Sequence, residues 1–152
     1  MLKYVDTKVV FQEIPDEITL AINISNCPCG CKGCHSSYLA DNVGTALTVK
    51  EVNRLIKDNK GITCICFMGG DAEPEEINTI AKVIRKTHKK LKIAWYSGRQ
   101  ELNKEINLKN FHYIKLGPYI EEKGPLTSKT TNQRFYNVED NKLVDITNVF
   151  WR

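Results

Sequence analysis

Four cysteines fall within the eight residues from Cys27 to Cys34, in a segment that also holds two glycines and a proline. The chain has 152 residues, enough for one domain, expected over residues 1–152, whose core needs no disulfides. Residues 1–16 are too polar for a secretory signal, and no apolar run approaches the ~20 residues that cross a bilayer. We therefore expect a cytoplasmic protein, in which a reduced cysteine cluster binds a metal or carries redox chemistry.

Charge is spread along the chain without a basic block. The sequence has 22 lysine and arginine residues against 18 aspartate and glutamate residues, for a formal net charge of +4. Because neither a lysine run nor an arginine cluster stands out, an ordinary solvated surface is expected rather than a nucleic-acid patch. We therefore expect neither nucleic acid nor a membrane as a partner.

Strand and helix patterns alternate along the chain. Glu17–Ser25 alternates apolar and polar residues, which predicts a strand that leads into the cysteine loop. A helix is predicted over Thr48–Asn59, where Thr48 and Glu51 form a capping-box pattern. The other predicted elements are strands over Ile62–Met68, Leu91–Tyr96 and Phe111–Leu116, a helix over Pro74–Lys90, and a hairpin of Arg134–Val138 with Lys142–Ile146. The sequence also leaves room for a short helix around Gln100–Ile106.

This alternation predicts an α/β fold with a mainly parallel sheet. A partial, open β/α barrel fits the length, because a complete barrel needs about 250 residues. The loops that follow parallel strands meet at the carboxyl edge of the sheet, where ligands bind in such folds. The segments expected to converge there are the cysteine loop, Gly69-Gly70-Asp71, Ser97-Gly98 and Gly117-Pro118.

Cys27, Cys31 and Cys34 have the spacing C-x3-C-x2-C, with Cys29 as an extra thiol inside it. Four kinds of site are open. A four-cysteine zinc site usually takes two short pairs from separate segments, and a ferredoxin-type cluster uses C-x2-C-x2-C with a distant fourth cysteine. A thiol–disulfide couple needs C-x-x-C, which only Cys31 and Cys34 match. The fourth is a [4Fe–4S] cluster held by three cysteines, with one iron open to another ligand.

Cys64 and Cys66 are the two cysteines outside this segment. They lie two residues apart in a predicted strand, so they share a face at a spacing of roughly 7 Å. At that spacing the two thiols are poorly placed to bind one metal ion together, and packing in the core is their predicted role. Trp95 and Trp151 are also predicted to pack rather than to react.

The cysteine triplet after the first strand of an α/β chain resembles the radical S-adenosylmethionine superfamily, and Gly69-Gly70-Asp71 resembles its GGE motif. Within it the chain looks most similar to the activating proteins of anaerobic (class III) ribonucleoside-triphosphate reductases. Four features carry that likeness: the short length, GCH at the last cysteine, YSG after the third strand, and TTNQRF at Thr130–Phe135. The likeness covers the chain from Ile18 to Phe135, although aspartate replaces glutamate at position 71.

The resemblance implies a barrel of the radical S-adenosylmethionine type with a C-terminal hairpin, and a reaction at a [4Fe–4S] cluster. S-adenosylmethionine is cleaved reductively, and the 5′-deoxyadenosyl radical removes a hydrogen from a glycine Cα of the anaerobic reductase. The implied cluster ligands are Cys27, Cys31 and Cys34, with no catalytic residue beyond them. The implied S-adenosylmethionine contacts are Gly33, Cys34, His35, Gly69, Gly70, Asp71 and Ser97. The implied partners are the reductase and a low-potential electron donor such as flavodoxin or ferredoxin.

Each of these roles has a plainer alternative. His35 could be a solvated loop residue, Asp71 a local cap in a strand-to-helix turn, and Ser97 a polar turn residue. The segment from Asn132 to Arg134 either orders the C-terminal part or touches the partner. The whole chain could instead act on a small molecule, as a 7-carboxy-7-deazaguanine synthase-like radical enzyme does, or be a non-catalytic iron–sulfur or zinc protein.

Overall fold

The computed structural model describes residues 1–26 and 43–151. The strands in these ranges are β1 (Lys3–Val10), β2 (Thr19–Ile24), β3 (Thr45–Ala46), β4 (Cys64–Met68), β5 (Lys92–Tyr96), β6 (Tyr113–Leu116), β7 (Arg134–Glu139) and β8 (Lys142–Asp145). The α-helices are α1 (Val49–Asp58) and α2 (Pro74–Thr87), and two short 3-10 helices cover Leu108–Asn110 and Thr147–Trp151.

All described strands lie in one mixed sheet of order β3-β1-β2-β4-β5-β6-β7-β8. The middle strands β2, β4, β5 and β6 run parallel to one another, which agrees with the predicted order of strands and helices. The flanking strands pair antiparallel on both sides, so the parallel part is the centre of the sheet rather than most of it. The fold of the described residues is mixed α/β.

Both predicted helices form. Thr48 is the N-cap of α1, and its side chain accepts from the backbone amide of Glu51, as the capping pattern predicted. Helix α2 ends at Thr87 rather than at Lys90, because the amide of Leu91 turns back to the carbonyl oxygen of His88 at 3.0 Å. Neither helix among the described residues has the length and apolar character that a bilayer-spanning helix requires.

The short helix considered around Gln100–Ile106 does not form. Residues 100–106 contain only bends, a turn and irregular backbone, and the connection from β5 to β6 contains the 3-10 helix Leu108–Asn110 instead. Asn107 caps that helix by accepting from the amide of Lys109, and its own amide donates to Asn78 of α2 at 2.8 Å. These side-chain contacts fix the connection without a regular turn of α-helix.

The two faces of the parallel strands belong to different parts of the core. In β4, Ile65 and Phe67 pack with the apolar stripes of α1 and α2, whereas Cys64 and Cys66 face a second cluster. That second cluster also contains Ile14, Ala94, Leu126 and Phe135. The prediction that Ile62–Met68 contains a strand buried on both faces is therefore confirmed. Burial of each large apolar side chain contributes about 1.5–3 kcal/mol.

Strand β1 was not predicted from the sequence. It pairs antiparallel with β2, and Asn23 of β2 donates to the carboxylate of Asp6 at 2.6 Å. Tyr4 reaches α1, where its hydroxyl donates to Glu51 at 2.5 Å. β1 is buried mainly at Tyr4, so its sequence carries little of the apolar alternation that reveals a strand.

The predicted C-terminal hairpin is confirmed as β7 and β8. Its two connecting residues, Asp140 and Asn141, have φ angles of 49° and 61°. Positive φ at both central residues is typical of a type I′ turn, whose backbone twist matches that of the two flanking strands. Aspartate and asparagine tolerate positive φ.

His112 joins β5 and β6 next to the end of α2. The backbone amide of Ile93 donates to its Nδ1 at 3.0 Å, and the guanidinium of Arg85 lies 2.7 Å from its Nε2. Burial, together with the positive charges of Arg85 and Lys92, lowers the pKa of His112 from 6.5 to about 4. The ring is therefore held neutral in the folded protein at pH 7.

The stability of the protein should depend on the protonation of His112. Because its pKa is lower in the folded chain, the unfolded chain binds this proton more tightly, and stability present above pH 6.5 is lost as pH falls towards 4. We expect a loss of about 1–2 kcal/mol after allowing for solvent screening of the partly exposed ring. Urea unfolding of the wild type and of His112→Gln between pH 7 and pH 5 measures it.

The variant should show a flatter pH dependence over that window. Titration of Glu51 does not contribute to the pH dependence in this window, because hydrogen bonds from Arg54 and Tyr4 lower its pKa to about 2, far below pH 5. Equal slopes for the wild type and His112→Gln would contradict the assignment.

Candidate functional site

Strand β2 ends at Ile24, just before the cysteine segment. Ser25 is buried, and its amide donates to the carbonyl oxygen of Lys3 at 2.9 Å. Asn26 takes a φ of 59°, which ends the extended backbone. Five residues of the predicted site lie outside the described residues: Cys27, Cys31, Gly33, Cys34 and His35. The extra thiol, Cys29, lies outside them as well. Their assignments stay predictions.

Three loops meet at the carboxyl ends of β4, β5 and β6. They comprise residues 69–71, 97–99 and 117–118, and are called the carboxyl-edge loops below. Backbone amides link the loops and the strands before them: Gly69 donates to Tyr96 at 3.0 Å, Ser97 to Lys115 at 2.9 Å, and Gly117 to Arg99 at 2.7 Å. The predicted convergence of these three segments is confirmed.

Asp71 ties the first of these loops to the second. Its Oδ1 accepts from the hydroxyl of Ser97 at 2.5 Å, and its Oδ2 accepts from the amide of Gly98 at 2.9 Å. The N-cap residue of α2 is Glu73, so Asp71 caps the neighbouring loop rather than its own helix. Charge-assisted hydrogen bonds of this kind are among the stronger ones in proteins.

Ser97 is engaged on both sides of its hydroxyl. The hydroxyl group donates to Asp71, its oxygen accepts from the amide of Arg99 at 3.1 Å, and the residue is only 1% exposed. These contacts agree with the alternative of a polar turn residue. Contact of Ser97 or Asp71 with S-adenosylmethionine stays a prediction.

Gly69 and Gly70 have φ angles of 102° and 91°, which side chains rarely adopt. A Cβ on Gly69 would lie 3.3 Å from the carbonyl oxygen of Ile24, so this turn packs directly on the end of β2. The carbonyl oxygen of Gly69 accepts from the indole of Trp95 at 2.7 Å, and that of Gly70 accepts from the amide of Glu73 at 3.0 Å. Each oxygen has a second lone pair, which suits a further donor.

Cys64 and Cys66 are core residues, as the sequence predicted. Both are free thiols with no exposed surface. Burial raises the pKa of Cys64 to about 12 and raises the pKa of Cys66 well above its usual value. Because thiolates rather than thiols bind iron and zinc, neither residue suits a metal centre. Across the described residues, no group of three or more histidine, cysteine, aspartate or glutamate side chains could hold a metal ion.

Sequence reasoning missed Lys115, which is only 9% exposed. Its ammonium donates to the carbonyl oxygens of Ser97 at 3.0 Å and Gly117 at 3.1 Å, and lies 5.6 Å from the centre of the Tyr96 ring. The signal was available, because a lysine inside the apolar strand Phe111–Leu116 must find partners when it is buried.

Asn132 and Gln133 support the last carboxyl-edge loop. The amide group of Asn132 donates to the carbonyl oxygen of Pro118 at 3.0 Å, and that of Gln133 donates to Gly117 at 3.4 Å. Arg134 differs, because its side chain is 42% exposed and forms a long ion pair of 3.7 Å with β8. For Asn132 and Gln133 these contacts match the expectation of a structural role.

One family model matches the chain. It is described as a 4Fe-4S single cluster domain, and the match spans residues 18–143. No curated protein and no solved structure matches the chain. The matched range begins before β2 and ends in β8, so it contains the cysteine segment and all three carboxyl-edge loops.

The glycine turn should be sensitive to substitution for reasons of packing. A Cβ on Gly70 would lie 2.7 Å from Cδ1 of the buried Ile77, whereas one on Gly61, at a nearly equal φ of 92°, would meet nothing within 4 Å. Gly61→Ala should therefore cost about 1–2 kcal/mol of backbone strain, and Gly70→Ala about 1–3 kcal/mol more. Urea unfolding of both variants measures the difference, and equal losses would show that Ile77 moves aside without cost.

Proposed function

This chain belongs to the 4Fe-4S single cluster domain family, and from that premise we propose that it is a radical S-adenosylmethionine enzyme. Its proposed activity is to generate a glycyl radical on an anaerobic ribonucleoside-triphosphate reductase. The observation that carries the proposal is the packing of the Gly69-Gly70-Asp71 turn on the end of β2, from which the C-x3-C-x2-C segment continues. Two motifs that are far apart in the sequence thus start from adjacent strand ends.

The fold supports this proposal through its carboxyl edge. The four parallel strands have their carboxyl ends on one side, and ligands of parallel α/β sheets bind outside the carboxyl ends of the strands. We regard the sheet as the described part of a partial, open β/α barrel of the radical S-adenosylmethionine type, followed by the β7–β8 hairpin.

The cysteine segment supplies the proposed cluster ligands. Cys64 and Cys66 are excluded by their burial and raised pKa values, which leaves the segment from Cys27 to Cys34 as the source of thiolates. We assign Cys27, Cys31 and Cys34 as ligands of a [4Fe–4S] cluster. When bound, this cluster would supply one electron for reductive cleavage of S-adenosylmethionine, and so the radical that oxidises the partner's glycine.

The protein's own part in the proposed reaction is to bind and orient S-adenosylmethionine. The carbonyl oxygens of Gly69 and Gly70 would accept from its ammonium group, since positive φ angles let the backbone approach a ligand closely. Gly33, Cys34 and His35 would contact the same molecule from the cysteine segment. Asp71 would act from the first carboxyl-edge loop and Ser97 from the second, where their mutual hydrogen bond already holds them together.

The proposed partners are the reductase, which supplies the glycine, and a low-potential electron donor such as flavodoxin or ferredoxin. The protein would bind both partners in the cytoplasm. A second candidate function is electron transfer by a non-catalytic iron–sulfur protein, and the family description, which names only a cluster, favours it.

The decisive experiment is anoxic. The protein is reconstituted with iron and sulfide, reduced, and mixed with S-adenosylmethionine and the reductase encoded in the same genome. We expect a glycyl doublet in the electron paramagnetic resonance spectrum of the reductase, dependent on both the protein and S-adenosylmethionine. Released 5′-deoxyadenosine without a doublet would move the search to small-molecule substrates. An intact cluster with neither signal would favour the electron carrier.

The extra cysteine provides a matched control for the ligand assignment. Cys31→Ala should lose the cluster and all activation, because it removes one of three proposed thiolates. Cys29→Ala should keep the cluster, because that thiol lies outside the triplet. Iron and sulfide analysis of both reconstituted variants measures this. Full activity of Cys31→Ala, or loss of all iron from Cys29→Ala, would show that the ligand register is different.

A further inference from the structure

The carboxyl-edge loops are joined by side chains as well as by backbone. The first link is the carboxylate of Asp71, which holds the hydroxyl of Ser97 and the amide of Gly98. It connects the loop after β4 to the loop after β5. Both of its oxygens are used, so the second loop cannot rotate without breaking a charge-assisted bond.

The second link is Lys115, which connects the loop after β5 to the loop after β6. A buried ammonium loses its hydration and needs hydrogen-bond acceptors in exchange. The carbonyl oxygens of Ser97 and Gly117 are two of those acceptors, at 3.0 and 3.1 Å. Displacing either loop from Lys115 would remove a hydrogen bond from a buried charge, which is costly in a folded protein.

The third link comes from the segment before β7. Gln133 is 7% exposed and donates to the carbonyl oxygen of Gly117, the same oxygen that accepts from Lys115. A Cβ on Gly117 would lie only 3.1 Å from the Cα of Gln133, so the backbones of the two residues are in contact. A side chain buried in this way supports the loop and presents almost no surface to another protein.

We propose that Lys115 and Gln133 are positioning residues, which set the placement of the carboxyl-edge loops through a chain of contacts from Gln133 to Gly117, Lys115, Ser97 and Asp71. This inference rests on the proposed function only in naming S-adenosylmethionine as the ligand of that edge. It assigns Gln133 of the TTNQRF segment to the cofactor site rather than to partner docking. The residues act through the loops and need not touch the ligand.

The test compares Lys115→Met and Gln133→Ala with two neighbouring controls. Lys92→Met removes another lysine of the same sheet, which pairs with Glu17 at 3.1 Å. Arg134→Ala removes the residue next to Gln133, whose side chain is partly exposed. All four are prepared anoxically with the cluster reconstituted. Circular dichroism establishes that each is folded, and Gln133→Ala carries the test if Lys115→Met is not.

The first readout is hydrogen–deuterium exchange without S-adenosylmethionine. Amides in residues 97–99 should exchange about tenfold faster in Lys115→Met, and detectably faster in Gln133→Ala, because a lost hydrogen bond to a charged group makes local opening easier. Lys92→Met and Arg134→Ala should match the wild type. Unchanged exchange in both test variants, or an equal change in the controls, overturns the proposal.

The second readout is the affinity for S-adenosylmethionine, with iron content measured in parallel. Iron content should stay at the wild-type level in both test variants, while the dissociation constant should rise about tenfold in Lys115→Met. Faster exchange with unchanged affinity would also overturn the positioning role. If the wild type itself fails to bind S-adenosylmethionine, the proposed function falls, whereas the exchange result still decides whether Lys115 and Gln133 hold the loops.

Discussion

The hydrogen bonds around Ser97 fix the geometry of the carboxyl edge. Its hydroxyl bonds to the carboxylate of Asp71, and its carbonyl oxygen bonds to the ammonium of Lys115. One residue therefore lies between a negative and a positive group and forms a charge-assisted hydrogen bond with each of them. Because both charges constrain the same residue, the loop after β5 has little freedom to move. The loops after β4 and β6, which are bonded to it, are restrained as well.

Burial determines the chemistry of the two cysteines of β4. Cys64 and Cys66 face the apolar cluster on one side of β4, and burial raises their pKa values, so they remain thiols. The proposed cluster needs thiolates, so Cys64 and Cys66 do not suit it. A cysteine of a strand that is buried on both faces therefore packs in the core rather than binding a metal.

The elements that the sequence predicts well are those with a strong apolar period. The parallel strands, both helices and the β7–β8 hairpin were predicted because their burial pattern or turn residues can be read locally. β1 was missed because it is largely solvated and depends on pairing with β2. The proposed Gln100–Ile106 helix was wrong because tertiary contacts from Asn78 and the cap at Asn107 select a 3-10 turn further along.

Single residues at the carboxyl edge show the same difference between what the sequence predicts and what it does not. Gly69, Gly70, Asp71 and Ser97 were placed together correctly, because each follows a strand of the parallel sheet. Their hydrogen-bond partners could not be predicted from the sequence. The bond from Asp71 to the next loop and the burial of Lys115 depend on neighbours that are distant in the sequence.

Two constraints require glycine at positions 69 and 70. Their positive φ and the closeness of Ile24 and Ile77 require glycine for packing alone. The turn can therefore meet a neighbouring group only through its backbone atoms, among them the carbonyl oxygens of Gly69 and Gly70.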